Sequence, residues 1–227
     1  MKILLAPSER KSLGGEKQFN INSFPELNPA RNEAIQKYDG YLQITDDTAH
    51  FGDIKTPIKK RPAKEAILRY TGVAFEYLDY KNLPNDAQNY LNENLIIFSN
   101  LFGILKPLDL IPYYTLKQGS KPGFDIYKHY KEKITEILNT YDEEYIDLRA
   151  KFYEKIYKPN NAITFKFIKD NKIISHFAKA YRGKLTRLIA LHQPKRLNDV
   201  LKIEFPDIKI IEIHEKKGIK EILCEIK

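Results

Sequence analysis

The sequence predicts an α+β fold: a single mixed α/β domain over residues 1–227, with a central sheet, surrounding helices and a basic cleft. Three observations carry this expectation. Apolar runs of strand length stand near both ends of the chain, runs with three- or four-residue apolar spacing lie between them, and no fixed-period repeat, low-complexity tract or Gly/Ser linker divides it. A hydrophobic fraction of 42% with 15 Tyr and 12 Phe supplies a core, and a chain this long buries about 70% of its unfolded surface without a disulfide or metal staple.

Residues 2–6 read as a first buried strand, followed by the loop Pro7-Ser8-Glu9-Arg10-Lys11 and a polar stretch with little periodicity to about residue 30. Helical spacing marks residues 31–42, 63–70 and 86–92, with Pro62 and Pro84 near helix starts, where a missing N–H costs least. Residues 95–105 are mostly apolar and fit either a strand or a buried helix. Residues 145–148 suggest a strand and 152–157 a helical turn. Residues 163–168 and 172–177 form an expected hairpin around Asp170-Asn171. The clearest helix spans 177–192, and residues 208–213 with 219–226 close the chain as a hairpin around Lys216-Lys217-Gly218.

The net charge of +8 is unevenly placed. Residues 151–196 carry twelve Lys and Arg against two acids, Glu154 and Asp170, so the rest of the chain is net negative. On the helix at 177–192, Ala178, Tyr181, Leu185, Leu188, Ile189 and His192 share one face, and Lys179, Arg182, Gly183, Thr186 and Arg187 the other. Gly183 inside a helix costs about 1 kcal/mol relative to Ala, which implies close approach of something. Two candidates stand: a phosphate backbone held by Lys179, Arg182 and Arg187, or a neighbouring helix, with the cations merely solvated.

Other constellations carry less. Ser8 to Lys11 follow a buried strand, a place where α/β proteins hold ligands, and Lys11 is fit to grip a phosphate. No Walker or dinucleotide glycine pattern accompanies them, and a polar loop is the structural alternative. Asp46, Asp47, His50 and Asp53 offer oxygen and imidazole ligands but read better as a solvated loop. Glu212 and His214 lack a third ligand. The lone Cys224 reads as a small hydrophobe, excludes an internal disulfide and fits a reducing compartment. The N-terminal apolar run is too short for a signal core or a membrane span, so a cytoplasmic location without membrane contact is expected. No metal or other cofactor is implied.

Four stretches, in order, resemble the YaaA peroxide-stress protein family. They are Leu5-Ala6-Pro7-Ser8-Glu9-Arg10-Lys11, Arg69-Tyr70-Thr71-Gly72, the run Leu101-Phe102-Gly103-Ile104-Leu105-Lys106-Pro107-Leu108-Asp109-Leu110-Ile111, and a strand leading into Ala178-Lys179-x-x-Arg182-Gly183. The resemblance implies a bacterial response to hydrogen peroxide that limits iron-dependent damage. It also implies non-sequence-specific binding of double-stranded DNA by a basic cleft and a helix-hairpin-helix element, which would include residues 101–111. The chain departs from the family pattern at Tyr114-Thr115-Leu116-Lys117 and Asp147-Leu148-Arg149-Ala150, which puts a family-wide catalytic role there in question while adding the cations Lys117 and Arg149.

Two functions follow. In the first, double-stranded DNA is held mainly through its phosphates by Lys11, Lys106, Lys172, Lys179, Arg182, Gly183, Lys184 and Arg187. In the second, a nucleotide or other phosphorylated small molecule is the substrate of an enzyme, with Ser8, Lys11, Lys179 and Arg182 as the anion pocket and Asp109 as a base.

Overall fold

A computed structural model describes residues 1–44, 56–141, 143–170, 172–173 and 177–227. In chain order the elements are β1 (Lys2–Leu5), α1 (Asn28–Ile44), β2 (Ala63–Glu65), α2 (Ala66–Arg69), α3 (Val73–Leu78), α4 (Asn85–Asn94), β3 (Leu95–Ser99), β4 (Gly103–Leu105) and β5 (Leu110–Pro112). They continue with α5 (Ile126–Thr140), β6 (Tyr145–Asp147), β7 (Ala162–Lys169), β8 (Lys172–Ile173), α6 (Ala178–His192), α7 (Leu197–Val200), β9 (Ile208–Lys216) and β10 (Ile219–Ile226).

The main sheet runs β4-β3-β1-β6-β7-β10-β9, with β8 paired onto β7, so helices surround a mixed central sheet as the patterning predicts. Strands β3, β1, β6, β7 and β10 are mutually parallel; β4 and β9 are antiparallel edges. Parallel strands covered on both faces need unbroken apolar runs, and Ile3, Leu4 and Leu5 of β1 and all of β3 are buried. From β1 the chain goes to β3 on one side, then returns to β6 on the other. A crevice therefore opens at the C-terminal ends of β1 and β6, where α/β folds of this kind seat ligands.

Several local expectations are corrected. Residues 63–70 are not one helix: Ala63–Glu65 pairs with β5, and Ala63 also exchanges both backbone hydrogen bonds with Lys17, so tertiary pairing overrides helical spacing. Bridges Lys17↔Ala63 and Asn20↔Leu110 likewise give the polar stretch before residue 30 its partners. Residues 101–111, expected to carry a helix-hairpin-helix element, form a turn, β4, a second turn and β5. There Ser99 Oγ accepts from Leu101 N and Phe102 N, and Gly103, at φ +77°, packs against the Tyr130 ring, 3.1 Å from where a Cβ would stand. The closing hairpin turns on Lys217 and Gly218, both at positive φ, as two-residue hairpin loops require.

The long helix α5 has a signal that periodicity alone did not resolve. Asp125 caps it, accepting from Tyr127 N and Lys128 N, and Ile126, Tyr130, Ile134, Ile137 and Leu138 face the core. The run of Asp46, Asp47, His50 and Asp53 lies outside the described residues. Among those described, no three His, Cys, Asp or Glu side chains stand where a metal ion could be held, and no helix is long and apolar enough to cross a membrane. Cys224 is buried in β10, where burial pushes its thiol up to about 12.

Candidate functional site

Three of the four motif stretches meet at the crevice. The cleft, about 230 Å³, is lined by the loop after β1 (Pro7 to Arg10), by Gly72 to Phe75 at the start of α3, by Leu148 and Ala150 after β6, and by Lys179 and Arg182 of α6. Asn100 and Tyr153 form its floor. Ser8 and Gly72 touch across it so closely that any Cβ at Gly72 would collide with the Ser8 hydroxyl. A larger open depression, about 790 Å³, lies beside β2 and α3; of its cations Lys17 pairs with Glu65 and Lys64 donates to the Leu13 carbonyl.

The cations of the cleft are unequal. Arg10 pairs with Glu76 at 2.8 Å on the exposed rim. Lys179 is exposed, and Arg182, one turn on, is half-buried; among the described residues no hydrogen bond or ion pair holds either side chain. Burial lowers the Arg182 pKa, an effect opposed by the charge of Asp147. Asp147 is itself committed: Arg149 donates to both its oxygens, at 2.8 and 2.6 Å. Arg149 also bonds the carbonyls of Tyr153 and Tyr157 and lies over the Phe98 ring, so this cation is part of the core and not free for phosphate as its sequence position suggested.

Lys11 lies behind the cleft loop. Its Nζ donates to the Glu9 carbonyl and sits 4.2 Å from the centre of the Tyr114 ring and 5.6 Å from that of Tyr70. The hydroxyls of Tyr70, Tyr114 and Ser99 form a buried chain at 2.9 and 3.0 Å. Burial pulls the Lys11 amine down to about 7, with Glu9 opposing and Arg69 reinforcing. Arg69 is spent on the carbonyls of Ser12, Pro62 and Ile111.

The remaining sequence candidates disperse. Lys106 stands at the opposite, N-terminal edge of the sheet, donating to the Glu93 carbonyl; burial, with Lys2 adding to it, lowers its amine to about 8. Lys184 pairs with Asp207, and Arg187 with the carbonyls of Leu78, Asp79 and Asn82 and, at 3.4 Å, the Asp79 carboxylate. Gly183 is buried where α6 crosses α3, and a Cβ there would overlap the Ala74 carbonyl oxygen. Of the two readings of this glycine, helix packing is the one seen. Thr186 is buried beside it, so the expected bare polar face is an interface. Lys172 of β8 stands opposite Lys169 of β7 in the backbone register. Asp109 accepts from Asn22, Ser23 and Lys106 backbone N–H groups, which fixes a loop remote from the cleft and leaves it no role as a base there.

One feature is absent from the sequence reading. A groove lined by Lys121, Lys128, Lys131 and Lys155 adjoins the cleft. The chain neighbours Gln118 and Gly119, and Tyr153 and Phe152, line one depression and the other in turn. Asp125 is its one lining acid; it caps α5 and lies 3.6 Å from Lys121. Lys155 Nζ rests over Phe152 at 4.4 Å. The signal was the cap Asp125 and the helical spacing of Lys128 and Lys131, which α5 turns to one side.

Residues 1–212 match the family described as peroxide stress protein YaaA. Similar proteins include an uncharacterized protein of Campylobacter jejuni, 43% identical over all of this chain and 99% of its own length. A UPF0246 protein of Corynebacterium glutamicum is 31% identical, covering 89% of this chain and 91% of its own. One of Alteromonas mediterranea is 33% identical over 72% and 69%.

Proposed function

Because this chain belongs to the YaaA peroxide stress protein family, we propose that it serves that response in the cytoplasm by holding double-stranded DNA through its phosphates, without sequence preference. One observation supports the reading: Lys128, Lys131 and Lys155 of the groove and Lys179 and Arg182 of the cleft line two neighbouring depressions, with no carboxylate paired to any of them among the described residues. Cations so placed trade condensed counterions for phosphate oxygens, and that release supplies affinity for any sequence. Shielding the covered DNA, or recruiting repair to it, would link such binding to peroxide survival.

Contacts of this kind make affinity fall steeply with salt. With about five phosphates engaged, the slope of log K against log salt is about −4 to −5 for duplex DNA. Fluorescence anisotropy with a labelled duplex at 50 and 200 mM salt reads it directly. The reading requires Lys128→Glu/Lys131→Glu to weaken random-sequence duplexes alike and to flatten the slope by about two. Binding indifferent to salt, or untouched by that double variant, refutes it.

A second reading, chemistry on a phosphorylated small molecule, is favoured by the seat of the cleft where β1 and β6 diverge.

A further inference from the structure

We propose that the cleft binds one phosphate monoester, with Arg182 as its anchor and Lys179 as the second cation at the rim. Monoester binding rests on the anion-attracting character of the cleft. Duplex binding draws in addition on Lys128, Lys131 and Lys155 of the groove, so Lys128→Glu/Lys131→Glu separates the failure of one reading from the failure of the other.

The state of Arg182 is the first ground. Its side chain is half-buried and lines the cleft, no described residue hydrogen-bonds its guanidinium, and the carboxylate whose charge reaches it, Asp147, is held bidentately by Arg149. A half-buried guanidinium without a protein partner keeps its donors open to the cleft, and the protein directs the nearby carboxylate elsewhere. An oxyanion entering the cleft supplies what is missing.

Charge selects the kind of anion. Lys179 and Arg182 are three residues apart on α6 and line the same cleft. A monoester carries a charge of about −1.5 to −2 near neutral pH, whereas a backbone diester carries one negative charge. The fork of Arg182 grips two oxygens and Lys179 supplies a point charge to the third.

Size and wall chemistry narrow it further. The cleft, about 230 Å³, is below the roughly 300–1,000 Å³ of drug-sized sites, so it admits a small ester or the end of a strand and no double helix. Leu5, Val73, Phe75 and Leu148 give it an apolar wall for a pentose or base, and the Ser8 side chain stands at the loop facing α3. Two sources share this chemistry: a free sugar or nucleoside phosphate, and the 5′-phosphate end of a DNA strand.

Calorimetric titration and thermal-shift assays on the full chain test the proposal with ribose 5-phosphate, adenosine 5′-monophosphate, and a short single strand carrying a 5′-phosphate. Ribose, adenosine and the 5′-hydroxyl strand are the controls. The proposal requires at least one phosphorylated probe to bind one-to-one and raise the melting midpoint while its unphosphorylated counterpart does not. The tighter-binding probe then identifies the source. Arg182→Gln weakens that binding about tenfold or more, and Lys128→Glu/Lys131→Glu leaves the binding of ribose 5-phosphate and adenosine 5′-monophosphate unchanged. If the glutamine variant does not fold, Arg182→Lys keeps the charge, loses the fork and still weakens binding several-fold. The proposal is overturned if phosphorylated and unphosphorylated probes behave alike, or if the folded Arg182 variant binds like the parent.

Discussion

Arg149 holds Asp147 through both carboxylate oxygens in a nearly dry setting, the two side chains being 1% and 9% exposed. The pair sits at the C-terminal end of β6, and it withholds Asp147 from Arg182. Removing one partner of such a pair leaves a buried charge uncompensated, whereas replacing both with apolar groups is often tolerated. Arg149→Leu is therefore expected to cost about 3–5 kcal/mol in urea unfolding, and Asp147→Leu/Arg149→Leu markedly less. Equal losses in the single and double variants would show that the two do not act as a pair.

Gly183→Ala sets two effects against each other. Alanine is the better helix former by about 1 kcal/mol, but its methyl would enter the space of the Ala74 carbonyl, and backbone cannot swing aside as a side-chain tip can. Overpacking wins, so a net loss of about 1–3 kcal/mol is expected, read as a lowered melting midpoint. A stabilised variant would mean that α3 and α6 are not packed so closely.

Stability is expected to depend on pH in the alkaline range with two opposite slopes. In the folded chain the amines of Lys11 and Lys106 are lowered to about 7 and about 8 from an ordinary 10.5. Between those values and 10.5 the unfolded chain binds more protons, so stability climbs as pH rises through that window. The phenols of Tyr38, Tyr70 and Tyr90 are raised by burial to about 12 from 10. From pH 10 upward the folded chain binds more protons, and stability falls. Urea midpoints measured from pH 7 to 11 should climb and then drop, with a shallower climb in Lys11→Met. A monotonic fall from pH 7 contradicts the burial of these amines.

Much of this was legible in the residues, and the failures share a cause. The run Ile3-Leu4-Leu5 and the hairpin around Lys217-Gly218 announced themselves, because burial on two faces and positive φ each select few residue types. Lys179 and Arg182 were legible as candidates. Their company was not: Lys184 meets Asp207, Arg187 meets Asp79, and Lys166 meets Glu221 at 2.6 Å, all carboxylates distant in sequence. A charge count along the chain registers cations and not the acids that folding brings to them. Gly183 gave a true sign of close approach, but its neighbour is the α3 backbone. The groove lysines escaped notice because Lys121, Lys128 and Lys131 lie outside the most basic segment, and α5 brings two of them alongside Lys155.

On the proposed function, cations left unpaired by the fold, and not basic residues in general, hold phosphate. Lys179 and Lys184 are neighbours on α6 that differ in this respect, the first free among the described residues and the second engaged with Asp207. Anisotropy titration of a random-sequence duplex against Lys179→Gln and Lys184→Gln at 50 and 200 mM salt separates them. Lys179→Gln is expected to weaken binding and flatten the salt slope by about one, while Lys184→Gln matches the parent. Equal losses in the two variants, or no loss in Lys179→Gln, would contradict it.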